Sequence, residues 1–222
     1  MDSDRLAQLE FLFRNGSVYD RKLALDELAQ SPSEAVVPIL ERLATSSDFL
    51  CRRFAVMGLG NHRTDQSFQI LTNLLEREQD ENVLSEIANT LFEFGDRAIP
   101  LLQNLFERNH NWLTRQTILS ILMESDREDV LLTVIRQGLL DPTQTVNETA
   151  ILALGRLLKG EYADEALHLL TELSNAEFWR DRWRAATVLS LSSSPRAKPL
   201  LAKLQKDQKH YVVAAALESG IS

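Results

Sequence analysis

The sequence predicts an all-α fold: an α-solenoid of about seven stacked helix pairs. Three observations lead there. Apolar residues recur at helical spacing almost everywhere, and β-branched alternation is scarce. Two separate apolar columns repeat along the chain with nearly the same period. Helix-start signals fall in step with both.

The first column runs through "DRKLALDEL", "CRRFAVMGL", "LSEIANTLF", "TRQTILSIL", "VNETAILAL" and "DRWRAATVL". It is anchored on Ala24, Ala55, Ala88, Ile118, Ala150 and Ala185, with steps of 31, 33, 30, 32 and 35 residues. Four positions on stands a large apolar residue: Leu28, Leu59, Phe92, Leu122, Leu154 and Leu189. That spacing puts both on one helix face. Three positions before the anchor stand Arg21, Arg52, Arg115 and Arg182, with Ser85 and Asn147 breaking the pattern. An arginine there is expected to bond backbone or carboxylate groups of an adjacent turn.

The second column lies between, in "VVPILERLA", "FQILTNLLE", "AIPLLQNLF", "LLTVIRQGL", "LHLLTELSN" and "AKPLLAKLQ". Its members are Leu40, Leu71, Leu102, Ile135, Leu170 and Leu201, and Pro38, Pro100 and Pro199 each fall two positions earlier. Three helix starts read as capping signals: Ser31 to Glu34, Ser125 to Glu128, and Asp141 to Gln144. Each unit is therefore helix, turn, helix. The first helix is expected near residues 4–14 and the last near "YVVAAALESG". A single helix pair cannot bury its apolar face, whereas stacked pairs share one core. No linker or composition shift divides the chain, so residues 1–222 read as a single domain.

The succession "P-x-L" on one helix and "R-x-x-A-x-x-x-L" on the next resembles HEAT repeats. The short period and the "ALG" of Ala153 to Gly155 look most like the HEAT-like repeats of phycobilin lyase subunits and phycobilisome-degradation proteins. The resemblance covers nearly the whole chain. It implies the architecture and brings no catalytic residues with it. In HEAT-like stacks the second helix of each pair lines a concave groove.

Helical geometry then sorts the side chains. With the Ala column inward, positions two before and two after it point into the groove. The expected partner-binding residues are Lys22, Arg53, Met57, Glu86, Gln116, Glu148, Leu152 and Trp183. Charge is mixed along this surface, with apolar points at Met57, Leu152 and Trp183. In "FWRDRWRAATVLS", Arg182, Ala185 and Leu189 are column residues with structural work, whereas Trp183 falls on the groove. Trp179 and Phe178 read either as part of that contact surface or as wedges in the turn between helices.

Composition narrows the function. The chain has 222 residues, 44% of them hydrophobic, and a net charge of −8. Such acidity disfavours phosphate backbones, so no nucleic-acid partner is expected. The single cysteine, Cys51, allows no intrachain disulfide and no cysteine-based metal site. It sits four positions before Ala55, facing the core, and is expected to be inert. Four histidines lack ligand spacing. No phosphate loop, nucleophile elbow or zinc-protease motif is present. Neither a signal core near "MDSDRLAQLE" nor a transmembrane segment is seen, and a cytoplasmic location is expected.

The expectation is thus a non-catalytic scaffold or adaptor that binds another protein in its groove, without metal or cofactor. The resemblance implies the alternative: a subunit of a phycobilin lyase, or a phycobilisome assembly or degradation factor. Its partner would then be a phycobiliprotein or a second HEAT-repeat subunit.

Overall fold

A computed structural model describes residues 3–192 and 194–218. Fourteen α-helices follow one another among them. They are α1 (Ser3–Asn15), α2 (Val18–Leu28), α3 (Ser33–Leu43), α4 (Phe49–Asn61), α5 (Asp65–Leu75), α6 (Glu81–Phe92) and α7 (Ile99–Arg108). Then come α8 (Trp112–Leu122), α9 (Glu128–Gly138), α10 (Gln144–Leu157), α11 (Ala163–Leu173), α12 (Trp179–Ser190), α13 (Ala197–Leu204) and α14 (His210–Leu217). A 3-10 turn, Gly95–Ala98, leads into α7. The helices form seven consecutive pairs, as the two columns require. Ser219 and Gly220 of the last motif lie outside the described residues.

The chain divides into two compact units, Met1–Ile118 and Leu119–Ser222, and the division falls within α8. In the first unit α4 packs on α2 and α6, and α3 on α5; in the second α12 packs on α10 and α14. The anchors Ala24, Ala55, Ala88, Ile118, Ala150 and Ala185 are all fully buried. So are Leu40, Leu71, Leu102, Ile135 and Leu170 of the other column. Small residues at the anchor let neighbouring helices approach closely. Gly58 shows how closely: a Cβ there would stand 2.7 Å from Cδ2 of Leu40. One column member departs from the pattern. Phe92 is only half-buried, and Leu91 fills the core beside it.

The three expected capping boxes do not form. Pro32 takes the cap position of α3, and the Ser31 hydroxyl donates back to the Glu27 carbonyl. Arg127 stands at the cap of α9, while Ser125 bonds the Leu122 carbonyl and Glu128 turns to Arg156. Asp141 accepts from the Thr143 N–H, which caps the turn before α10 rather than the helix itself. Ser31 and Ser125 are drawn to the end of the preceding helix, Glu128 to a neighbouring repeat, and Asp141 to its own turn. A true box occurs at Ser17 and Asp20 of α2. Single-residue caps at Asp48, Thr64 and Asp80 start α4, α5 and α6.

Candidate functional site

Three of the four column arginines, Arg21, Arg52 and Arg182, perform the expected structural task, while the Arg115 guanidinium lies 4.3 Å over the Phe106 ring. Nη1 of Arg52 donates to the carbonyls of Ser46 and Ser47, at 2.9 and 3.2 Å, while Nε and Nη2 grip the Glu78 carboxylate. Arg182 repeats this in the second unit with the carbonyls of Ala176 and Glu177 and the carboxylate of Asp207. Arg21 bonds the carbonyls of Gly16 and Arg14 and pairs with Asp48. Where the arginine is lost, shorter groups substitute. Asn147 donates to the Leu139 carbonyl at 2.7 Å, and Ser85 lies beside Thr114, whose hydroxyl bonds Glu81.

The residues expected to face a partner divide between the units. In the first, Lys22 and Arg53 are exposed, and Met57 is 36% exposed. Glu86 is half-buried and accepts from Nε of Arg53 at 2.9 Å, so the two charges neutralise each other. Gln116 is half-buried. Thr90, two positions after its anchor, is buried instead: a Cβ on Gly60 would stand 3.0 Å from its methyl carbon. The missing side chain at Gly60 lets Thr90 tuck against α4.

In the second unit Leu152 is 38% exposed, and Glu148 and Trp183 are half-buried. Glu148 joins two arginines that sequence reasoning did not assign: Arg184 at 2.7 Å and Arg180 at 3.4 Å. The Arg184 guanidinium lies 4.1 Å over the Trp183 ring, a cation–π contact. Trp183 stacks on Trp179 with centroids 6.1 Å apart, and Trp179 stacks on Tyr211 at 5.6 Å. The His210 ring lies 4.0 Å from that of Tyr211. Trp179 is therefore part of an aromatic ladder along the starts of α12 and α14. Phe178 is 50% exposed at the cap of α12, so it is not a wedge in the turn. One signal in the sequence points to the arginines. Arg180 and Glu148 are 32 residues apart, one repeat period.

Cys51 is buried, its Sγ 3.8 Å from the Leu43 carbonyl oxygen, and burial pushes its thiol pKa up. His62 is also buried, with Nδ1 3.0 Å from the Ser33 hydroxyl and Nε2 3.1 Å from the Leu28 carbonyl. Burial lowers its pKa, which favours the neutral ring. Among the described residues, no three of His, Cys, Asp and Glu are grouped to hold a metal ion. No described helix is long and apolar enough to cross a membrane. Within the ladder Trp179 and Trp183 are half-buried and Tyr211 is exposed, with Arg180 and Arg184 laid over the two tryptophan rings.

No curated protein matches the chain. Among solved structures, it is similar to a chain in a homology model of the full-length AP-3 complex: TM-score 0.64, 18% identity, covering 98% of this chain and 45% of that one. It is also similar to a chain of the complex of CpcE and CpcF of phycocyanin lyase from Nostoc sp. PCC7120: TM-score 0.51, 19% identity, 95% of this chain and 85% of that one. A third is Kap121p bound to Nup53p: TM-score 0.58, 15% identity, 99% of this chain and 29% of that one. The chain thus spans less than half the length of the AP-3 and Kap121p chains. These likenesses show the fold. The family model for HEAT repeats matches residues 7–91, 70–155 and 129–220, which together take in nearly every repeat counted above. The chain belongs to the HEAT-repeat family.

Proposed function

We propose that the protein is a non-catalytic scaffold or adaptor that binds another protein across its second helices. The observation that carries this reading is the ladder of Trp179, Trp183 and Tyr211 with Arg184 over it. Aromatic and arginine side chains together are enriched among the residues that dominate binding energy. The fold supports the same reading. The AP-3 complex, the Kap121p–Nup53p pair and the CpcE–CpcF pair are all assemblies of proteins. The expected contacts are Trp183 and Leu152 in the second unit, and Met57 with the Arg53–Glu86 pair in the first. The lone buried thiol of Cys51 suits a reducing compartment such as the cytoplasm.

A second reading has its own observation. The chain spans 85% of the phycocyanin-lyase chain, a match in size as well as in fold. It would make the protein one subunit of a bilin lyase, or a phycobilisome factor, with a second HEAT-repeat subunit or a phycobiliprotein as partner.

The test is affinity purification of the tagged protein from its native host, read by mass spectrometry, with Trp183→Ala in parallel. A defined partner is expected, and its affinity should fall by about 1–3 kcal/mol in the variant. Recovery of a phycobiliprotein would select the second reading. A partner retained equally by Trp183→Ala and Met57→Ala would move the interface off these helices.

A further inference from the structure

Charge is distributed unevenly along this acidic chain. Residues 178–210 carry eight Lys and Arg against two Asp, while the rest of the chain carries sixteen against thirty acidic residues. The arginines of this segment are committed to structure. Arg180 and Arg184 hold Glu148, Arg182 holds Asp207, and Arg196 pairs with Asp164.

The lysines are not. The chain has six lysines, and four of them fall within twelve residues: Lys198, Lys203, Lys206 and Lys209. All four are exposed. Lys203 reaches the side-chain oxygen of Asn175. Among the described residues none of the four pairs with a carboxylate. The nearby Asp207 is already occupied by Arg182 and by the Lys209 N–H. Lys203 and Lys206 line an open concavity of about 810 Å³ between the turns 174–177 and 205–208. Glu177 is the one unpaired acid on that lining. Exposed aromatic side chains stand close by in sequence: Phe178 next to Glu177, and Tyr211, 53% exposed, two residues after Lys209.

We propose that this lysine band on the last two helix pairs docks an acidic linear segment of a partner protein. Charge complementarity selects the occupant. Four ammonium groups without a carboxylate partner over a short span suit a run of Asp and Glu, and Phe178 and Tyr211 suit apolar residues within it. A long polyanion such as nucleic acid would extend beyond the band and meet the acidic remainder of the chain. The band adjoins the aromatic ladder through Tyr211, whose ring lies 6.3 Å from that of Trp183, so the lysine charges are what distinguish this proposal from the reading above.

Fluorescence anisotropy with the full chain and a labelled Glu/Asp-rich peptide containing one Phe tests this. The peptide should bind saturably. Binding should weaken by about tenfold or more in Lys206→Glu/Lys209→Glu, and similarly when salt rises from about 0.05 to 0.3 M. An unchanged melting temperature of that variant, whose altered side chains are exposed, shows that the loss is not unfolding. Trp183→Ala, which removes a neighbour of Tyr211 but no lysine, should weaken peptide binding far less than the charge reversals. Absence of saturable binding, insensitivity to the charge reversals, or tighter binding of an oligo-dT strand or of phosphatidylserine vesicles would overturn the proposal.

Discussion

In the first unit, Arg52 spans two turn carbonyls and the Glu78 carboxylate; in the second, Arg182 spans two turn carbonyls and the Asp207 carboxylate. The two constructions sit 130 residues apart at matching positions of α4 and α12. Their neighbours differ completely. Cys51, Arg53 and Phe54 beside the first clamp become Asp181, Trp183 and Arg184 beside the second. The column residue is held because a turn needs its carbonyls satisfied and a core needs its helices in register. The residues beside it answer to no such demand. They are where one repeat stays plain and another acquires an aromatic ladder.

Removing the clamps should produce the largest effects and should rank them. Arg52→Ala leaves Glu78, whose side chain is 6% exposed, without its counter-ion, and frees two turn carbonyls. A loss of about 3–5 kcal/mol is expected, as when one partner of a buried pair is removed. Arg182→Ala strands Asp207, 10% exposed and close to Lys209, and should cost less, about 1–3 kcal/mol. Thermal melts of both variants check the order. They also test our proposal that residues 1–222 unfold as a single domain. Each variant should then shift one shared transition, and two transitions moving separately would break it.

Acid should act on both clamps in the same direction. Burial opposes ionisation of Glu78, yet hydrogen bonds from Arg52 and from the N–H groups of Asp80 and Gln79 hold its pKa below the ordinary value. Asp207 is lowered by its hydrogen bond from Arg182, against a smaller effect of burial. A carboxyl depressed in the folded state stabilises the fold above its unfolded pKa of about 4, and that contribution is lost as pH falls through the folded value. Stability of the wild type should therefore drop below about pH 4, and Arg52→Ala should flatten that part of the curve. An equally steep acid limb in the variant would show that Glu78 is not the group being protonated.

The same comparison separates what the sequence makes legible from what it conceals. The two columns stood out because core burial repeats the same residue types at one spacing: every anchor from Ala24 to Ala185 is fully buried. The caps were misread because Ser31, Ser125 and Asp141 bond groups outside the first turn of the helices they precede, a choice that local spacing does not encode. The roles of Arg180 and Arg184 are not legible within their own helix, because their partner Glu148 lies one repeat earlier. Opposite charges one period apart recur throughout: Glu10 with Arg42, Asp65 with Arg97, Glu76 with Arg108, and Glu148 with Arg180. A search for such pairs would have found the Glu148 cluster. Tyr211 joins the ladder through packing of α14 on α12, and neither column foretells it.

Two smaller substitutions probe the position just before each arginine. Cys51 is buried against the Leu43 carbonyl, so Cys51→Ser places a hydroxyl where a soft apolar group fits. A loss of about 1 kcal/mol is expected, with partner binding intact. Rapid reaction of the native thiol with a maleimide, accompanied by loss of binding, would contradict the core placement.

Asp181 occupies the matching place in α12 and should give the smallest effect, with the opposite sign. Burial, and then the charge of Glu148, raise its pKa, while Arg182 only partly offsets them. For a carboxyl raised in the folded state, folding favours the protonated form. Stability is therefore lost as pH climbs from the unfolded value of about 4 through the folded one. At neutral pH the ionised Asp181 works against the fold. Asp181→Asn keeps the shape and removes the charge, so it should raise stability by less than about 1 kcal/mol at pH 7. The gain should shrink toward zero as pH falls below the unfolded value of about 4, where the carboxyl is protonated in both states. Melts of wild type and variant at about pH 7 and below about pH 4 decide the matter. A destabilised variant at pH 7 would mean that the Asp181 carboxylate, like those of Glu78 and Asp207, has a partner that favours its charge.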